Sequence, residues 1–351
     1  MKGVILAAGK GTRMLPLTLR RPKPLVPVLD RPMIEHIILG ARDAGVDHQA
    51  LVIGHLGEQI IEHLGDGSRL GVRLEYIWQR EARGTGHAAL LAEDFVGGEP
   101  FFLSWGDIIV PPRNYQKVVS AFTSGGADAV ISLNWVEDPY EGAAVYVRDG
   151  FVERIQEKPP KGTATTHFNT AGLFVYGPEL FARLRRLTPS ARGELELPDA
   201  VQQMIQEGRR IRAVELEGYW SDVARPSAVL ALNAQMINDR YRDQGGIWVD
   251  PNAEVSADTV LKPPIYIGPG SKVDGAQLGP NVVLMGHNEI KRGALFAEAA
   301  LFTGARVGGR SRGRYCLLEE GAWLGEGEEL VGDVSRSLVV HSNGCIEVAS
   351  S

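Results

Sequence analysis

From the N-terminus, short uniformly apolar runs alternate with stretches whose apolar residues recur every three or four positions. Val4 to Ala8 is continuously apolar and flanked by glycine, the pattern of a strand buried on both faces. Pro32 leads into MIEHIILGARDAG, where Ile34, Ile37, Ile38 and Ala41 form one helical stripe that stops at Gly45. The same rhythm predicts strands at 50–53, 72–78 and 100–104 and helices at 57–64 and 86–92. Strand-like alternation follows at 128–136, 142–147 and 151–157, with a turn at Asp149-Gly150. Helical spacing returns at 178–187 and 197–207, and again from Arg225-Pro226 through Met236. This order predicts an α/β fold, a Rossmann-like doubly wound mixed sheet with its ligand at the strand C-termini.

After the polar run 238–244 the pattern changes. Gly245-Gly246 marks a boundary between domains at 1–244 and 245–351. Beyond it aliphatic residues recur six apart: Val249, Val255 and Leu261; Ile267 and Val273; Leu278 and Leu284; Leu301 and Val307; Leu324 and Leu330. A six-residue period with small turn residues predicts a parallel β-helix, with a glycine-rich β-sandwich as the alternative. The register reads as interrupted near 262–264 and again between His287 and Ala300.

Composition narrows the function. In 351 residues the formal net charge is −6 with both signs interspersed, which disfavours nucleic acid as a partner. Cys316 and Cys345 are the only cysteines, too few for a disulfide framework or a thiolate cluster. No secretory leader and no membrane-spanning run is legible, so a cytoplasmic protein with no membrane partner is expected.

Candidate chemistry begins just past the first strand. Gly9, Gly11 and Thr12 offer bare backbone N–H groups where an open sheet binds anions, and Arg13 with Lys23 could neutralise a polyphosphate. Pro16, Pro22, Pro24 and Pro27 stiffen the segment between them. The spacing fits neither a dinucleotide fingerprint nor a Walker A loop, and a solvated surface turn is the plain alternative. Gln79, followed by Gly84-Thr85-Gly86, could both accept from and donate to a pyrimidine; a helix-initiating turn would look the same. Asp107 follows a buried strand and a glycine, as a magnesium carboxylate would, and Asp222 is its candidate partner. Either aspartate could equally be a helix cap. Glu157-Lys158-Pro159 alone reads as an exposed ion pair in a turn. Glu194, Glu196 and Asp199 suit the dipole of the helix they precede and enter.

LAAGKGTRMLPLT followed by RPKPLVPVLDRPMIEH resembles the signature of the sugar-1-phosphate nucleotidylyltransferases, in particular the glucose-1-phosphate thymidylyltransferases and N-acetylglucosamine-1-phosphate uridylyltransferases. The resemblance implies nucleotidyl transfer from a nucleoside triphosphate to a sugar 1-phosphate, with Mg²⁺ as cofactor. It implies that Leu6, Ala7, Ala8, Gly9, Gly11 and Thr12 wrap the nucleotide, while Arg13 and Lys23 bind its phosphates. QxxxxGTGHA resembles the base-reading segment of the uridylyl and thymidylyl branches, placing Gln79, Gly84 and Thr85 on the base and favouring dTTP or UTP. Asp107 and Asp222 match the two metal aspartates. Gly142, Glu157, Lys158 and Asn169 match sugar-binding positions, Lys158 meeting the sugar phosphate.

Residues 245–351 resemble the left-handed β-helix appended to several members, which implies a homo-oligomerisation or regulatory role. Gly286-His287-Asn288-Glu289-Ile290-Lys291 is similar to part of an acetyl-transferring domain. His287 and His341 are the only histidines there, and the Asn-Phe-Gly-Ala-Gly-Thr-like run is absent. A mannose-1-phosphate guanylyltransferase using GTP is the alternative enzyme. A non-catalytic subunit that senses nucleotide sugars is the alternative of another class.

Overall fold

A computed structural model describes residues 1–350. By internal contacts they fall into two compact units, one of Met1–Lys10 with Ile34–Trp220 and one of Gly11–Met33 with the chain from Ser221 onward.

The first unit is built on one nine-stranded mixed sheet. Its order is Arg73–Trp78, His48–Ile53, Lys2–Ala7, Phe101–Trp105, Phe168–Tyr176, Ala129–Trp135, Ile211–Glu215, Phe151–Glu157 and Ala143–Arg148. The first four strands run parallel, and the three inner ones carry apolar runs to match: Val4, Ile5, Leu51, Val52, Phe102 and Leu103 are fully buried, while the edge strand Arg73–Trp78 stays half-exposed. Phe168–Tyr176 then enters antiparallel between Phe101–Trp105 and Ala129–Trp135. Helix Met33–Asp43 buries the expected stripe of Ile34, Ile37, Ile38 and Ala41 completely. Two helices are shorter than their periodicity suggests. The pattern at 86–92 resolves into Thr85–Leu90 and a separate turn, Glu93–Val96. That at 178–187 keeps only Leu180–Leu184, because Thr188-Pro189 follows and the last amides bond three residues back rather than four.

In the second unit, Gly11–Met33 forms the turns Thr12–Met14 and Lys23–Leu25, then a short hairpin of Pro27–Val28 with Arg31–Pro32. Leu29 at its tip has φ 57° and donates its N–H to Asn233 Oδ1 of helix Pro226–Arg240 at 2.7 Å. Helical turns end at Arg242–Gln244 and strands begin at Ile247–Val249, so the chain changes character at the glycine pair.

From there the strands form parallel ladders in which the chain returns beside itself after one coil. Ile265 lies beside Val282, Val282 beside Ala299 and Ala299 beside Cys316, each seventeen residues on. A second ladder carries Val255, Val273, Ile290, Val307 and Leu324, and a third Leu261, Leu278, Phe296, Gly313 and Leu330. Three ladders per coil make the six-residue period, and the pattern is consistent with a β-helix. The interruption expected between His287 and Ala300 does not occur. Ile290 and Phe296 hold the inward positions there, and the Phe296 ring fills space that Gly313 leaves open. A Cβ on Gly313 would lie 2.1 Å from the ring. Asn288, fully buried, donates to Phe302 O at 2.7 Å and Ala305 O at 3.1 Å and accepts from Gly286 N, so its polar groups serve the coil. The stack ends in an antiparallel hairpin, Arg336–Val340 with Ile346–Ser350, in place of another parallel coil.

Candidate active site

Leu6 and Ala7 end strand Lys2–Ala7, and Ala8 and Gly9 leave the sheet there, flanked by Gly54, which sequence reasoning did not single out, and by Gly106, which it noted only as preceding Asp107. A Cβ on Gly54 would lie 2.7 Å from Ala8 O, and one on Gly106 2.8 Å from Leu6 O. Neighbouring backbones can therefore pass the loop only because both positions lack side chains. Gly106 N–H also donates to Leu6 O at 2.8 Å, which sets half-buried Asp107 beside the loop's root. Gly9 is different: a Cβ there would meet nothing within 4 Å. No neighbour in the protein requires that glycine.

Gln79 follows the edge strand Arg73–Trp78 and is buried. Its Nε2 donates to Gly84 O at 3.2 Å and to His87 Nδ1 at 3.1 Å. Burial and the Arg83 charge hold the His87 imidazole below its ordinary pKa, so Nδ1 acts as an acceptor. The donor half of the carboxamide is thus committed, and the expectation that Gln79 both gives and accepts narrows to acceptance by Oε1. The glycines that follow have a packing cause. A Cβ on Gly84, at φ 96°, would lie 2.6 Å from Leu195 O, and one on Gly86 2.9 Å from it. Leu195 N donates to Arg83 O, Gly86 N to Leu195 O, and Leu197 N to Thr85 Oγ1.

Gly142, Glu157, Lys158 and Asn169 come together on adjacent strands. Glu157 pairs with Ala143, Asn169 pairs with Ala144, and Lys158 N donates to Gly142 O at 2.9 Å. A Cβ on Gly142 would approach Asn169 Nδ2 to 3.0 Å, so glycine keeps that amide in place. Lys158 has φ 40°, an uncommon backbone for lysine that fixes its direction of exit. Asn169 Oδ1 is buried without a hydrogen-bond partner, which costs about 1–3 kcal/mol.

Arg192 joins this cluster. Its Nη2 lies 3.0 Å from Glu157 Oε1 and 2.7 Å from Glu196 Oε1, and Ser190 Oγ donates to Glu196 at 2.9 Å. Glu196, read from sequence as a dipole acid, stands at the N-cap of helix Leu197–Gln206 and is also buried beside Glu157. Burial, then the Glu196 charge, push the Glu157 carboxyl up to about 7, against the opposing pull of Arg192 and Lys158. The signal for Arg192 in the sequence was the acid-flanked run ARGELE, whose arginine has several carboxylates within reach.

In the second unit, Gly11 has φ 65°, and a Cβ there would lie 2.8 Å from Lys23 Cβ. Its carbonyl accepts from Thr18 Oγ1 at 2.9 Å. Arg13 and Lys23 both face Asp222, Nη2 at 3.9 Å and Nζ at 3.6 Å from its two carboxylate oxygens. Lys23 is buried along its stem while Arg13 is mostly exposed. Two cations around one carboxylate leave a net positive group suited to a polyanion.

Residues 2–239 match the nucleotidyl transferase family. The chain belongs to that family. It is 32% identical over 339 residues to the low-salt glycan biosynthesis nucleotidyltransferase of Haloferax volcanii, covering 88% of this chain and 94% of that one. It is 30% identical over 359 residues to a glucose-1-phosphate thymidylyltransferase of Streptomyces griseus, covering 97% and 99%. A UDP-glucose pyrophosphorylase solved with UDP-glucose superposes with a TM-score of 0.60 at 23% identity, over 68% of this chain and 99% of that one, and shares the fold. As a sugar-1-phosphate nucleotidyltransferase, the enzyme transfers a nucleotidyl group onto a sugar 1-phosphate.

Asp107 in the first unit and Asp222 in the second each offer the hard carboxylate oxygen that magnesium takes. Asp107 and Asp222 are half-buried hard-oxygen donors at strand ends, and no group of three His, Cys, Asp or Glu suited to a metal exists among the described residues. Magnesium is commonly bound by one or two carboxylates together with substrate phosphates. Arg13 and Lys23 beside Asp222 would disfavour a bare cation and favour one that arrives with phosphate. No helix among the described residues is long and apolar enough to cross a membrane.

Proposed function

We propose that this nucleotidyltransferase uses dTTP or UTP. The observation that carries the base assignment is the commitment of Gln79 Nε2 to Gly84 O and His87 Nδ1, which leaves one carboxamide oxygen to receive the single N3–H of a pyrimidine. Guanine presents two adjacent donors and would ask for two acceptors.

The sugar-1-phosphate oxygen attacks the α-phosphorus in line, forming the new P–O bond as the bond to pyrophosphate breaks. That oxygen is already anionic, so no general base is required, and the protein's task is alignment and charge neutralisation. Arg13 and Lys23 stabilise the departing pyrophosphate. Lys158 binds the sugar phosphate, and Arg192, beside Glu157, adds a second cation at that end. Glu157 and Asn169 hold sugar hydroxyls, with the unpartnered Asn169 Oδ1 as the support for that role. Backbone of Leu6–Thr12 and Gly142, with Gln79, Gly84 and Thr85, lines the nucleotide and sugar. Asp107 and Asp222 would hold Mg²⁺, which when bound supplies positive charge to phosphate oxygens.

Residues 1–244 form the catalytic portion in this reading. Residues 245–351 form a left-handed β-helix through which a cytoplasmic homo-oligomer assembles or is regulated; the seventeen-residue parallel register supports it.

Pyrophosphate release with Mg²⁺, over the five common nucleoside triphosphates and the 1-phosphates of glucose, mannose, galactose and N-acetylglucosamine, tests the assignment. Release with dTTP or UTP is expected. Release with GTP alone overturns the reading of Gln79, and silence in a protein that binds nucleotide sugars favours a sensing subunit.

A further inference from the structure

The segment from Arg13 to Lys23 carries two more arginines, and one makes a long-range attachment. Arg21 Nη2 lies 2.9 Å from Glu320 Oε2, and its guanidinium carbon sits 5.6 Å from the centroid of the Phe302 ring. The Arg21 side chain is 18% exposed and Phe302 is fully buried, so the contact is partly withdrawn from water, unlike an ordinary surface pair. Glu320 stands on a fixed turn: Gly321 N donates to Thr303 O at 3.1 Å, Ala322 N to Glu319 O at 3.0 Å, and Glu319 N to Val340 O at 2.8 Å. On the other side, Arg21 is separated from Lys23 by Pro22 alone. Leu25 N donates to Pro22 O at 2.9 Å and closes the turn that carries Lys23. A displacement of Arg21 therefore passes to Lys23 with little slack.

We infer that Arg21, clamped between Glu320 and Phe302, is a positioning residue by which the C-terminal coils hold the Arg13–Lys23 segment in its phosphate-binding shape. A guanidinium suits the place because its face covers the ring while its edge meets the carboxylate, a combination that lysine makes less well. The inference rests on the assignment of Arg13 and Lys23 to the nucleotide phosphates. It makes the strand-rich C-terminal part a contributor to turnover through one ion pair.

The test uses the full-length enzyme with Glu320→Arg, Arg21→Glu and the double charge swap, with Arg13→Ala as a reference. Glu320 is largely exposed, so its replacement should leave the melting temperature within a few degrees; Glu320→Gln serves if the arginine does not fold. Glu320→Arg should lower kcat/KM for nucleotide about tenfold, as a small misplacement of a charged group does, while leaving the sugar 1-phosphate KM unchanged. Hydrogen exchange over residues 13–23 should rise in that variant, and the double swap should regain much of the lost activity. Wild-type nucleotide kinetics in Glu320→Arg, beside a damaged Arg13→Ala, would overturn the clamp and leave the phosphate assignment standing. Wild-type kinetics in Arg13→Ala would overturn that assignment itself. A double swap as impaired as Arg21→Glu alone, with Glu320→Arg fully active, would overturn the clamp in favour of Arg21 acting directly on substrate.

Discussion

Gly9 and Gly11 sit two residues apart in one loop, and the structure assigns them opposite reasons for being glycine. Gly11 has φ 65° and ψ 32°, which costs an L-residue about 1–2 kcal/mol. An added Cβ would also stand 2.8 Å from Lys23 Cβ, an atom at the base of its side chain that cannot swing aside, and relief of such overpacking costs about 1–3 kcal/mol. Gly11→Ala should therefore lose about 3 kcal/mol and melt several degrees lower. With the Lys23 stem displaced by a fraction of an ångström or more, its turnover should fall by up to about 10²-fold. Gly9→Ala meets nothing within 4 Å and needs no left-handed backbone. Its stability should hold, or rise by about 0.4–1 kcal/mol through the unfolded chain. If the nucleotide packs on this backbone, the new methyl occupies the ligand's space, and the nucleotide KM should rise while the sugar 1-phosphate KM does not. Calorimetry and initial rates of pyrophosphate release, varied in each substrate, separate the two effects. A Gly9→Ala enzyme with wild-type nucleotide kinetics would refute the loop as a nucleotide cradle. An unchanged melting temperature for Gly11→Ala would refute the packing argument.

Asp222→Asn should abolish magnesium-dependent turnover while circular dichroism shows an intact fold; full activity in magnesium would remove Asp222 from the metal pair. Glu157 has its pKa raised to about 7 from 4.5, so the folded state binds this proton more tightly than the unfolded one. The stability it contributes is present below about pH 4.5 and is lost as pH rises through 7. Glu157→Gln should flatten that part of the stability profile, measured by denaturant titration from pH 4 to 8, and an unaltered slope would deny the shift. Asn169→Ala should raise the sugar 1-phosphate KM about tenfold and leave the nucleotide KM alone; the reverse pattern in steady-state kinetics would move Asn169 out of the sugar site.

Much of the first unit was legible because its signals are local. The apolar run of Val4 to Ala8 needs no partner to be read as a buried strand, and Ile34, Ile37, Ile38 and Ala41 declare their face by spacing alone. The six-residue period was open too, apart from the break read near 262–264, until Phe296, where an aromatic replaced the expected small aliphatic. Its compensation by Gly313, seventeen residues later, is visible only when two coils lie side by side. Arg192 was not singled out, and the second role of Glu196 was missed, for the same reason. Their meaning depends on Glu157, thirty-five residues earlier than Arg192, and the local acid pattern suited a helix dipole well enough to conceal it.

The same distinction sorts the motif residues. Gly84 and Gly86 look like a ligand's landing place in sequence, yet each is required by Leu195 O at under 3 Å, so their smallness is explained without any nucleotide. Gly9 and Asn169 Oδ1 have no such internal explanation: one keeps open a space that no side chain fills, and the other buries an acceptor with no donor. Natural cores satisfy nearly all buried polar atoms. A glycine without a steric cause, and an unpartnered acceptor beside Glu157 and Lys158, are therefore the two positions whose substitution tests for a ligand most directly. In the proposed reading Gly9 belongs to the nucleotide side and Asn169 to the sugar side. Substituting them should shift two different Michaelis constants, whereas substituting Gly84 should chiefly shift the melting temperature.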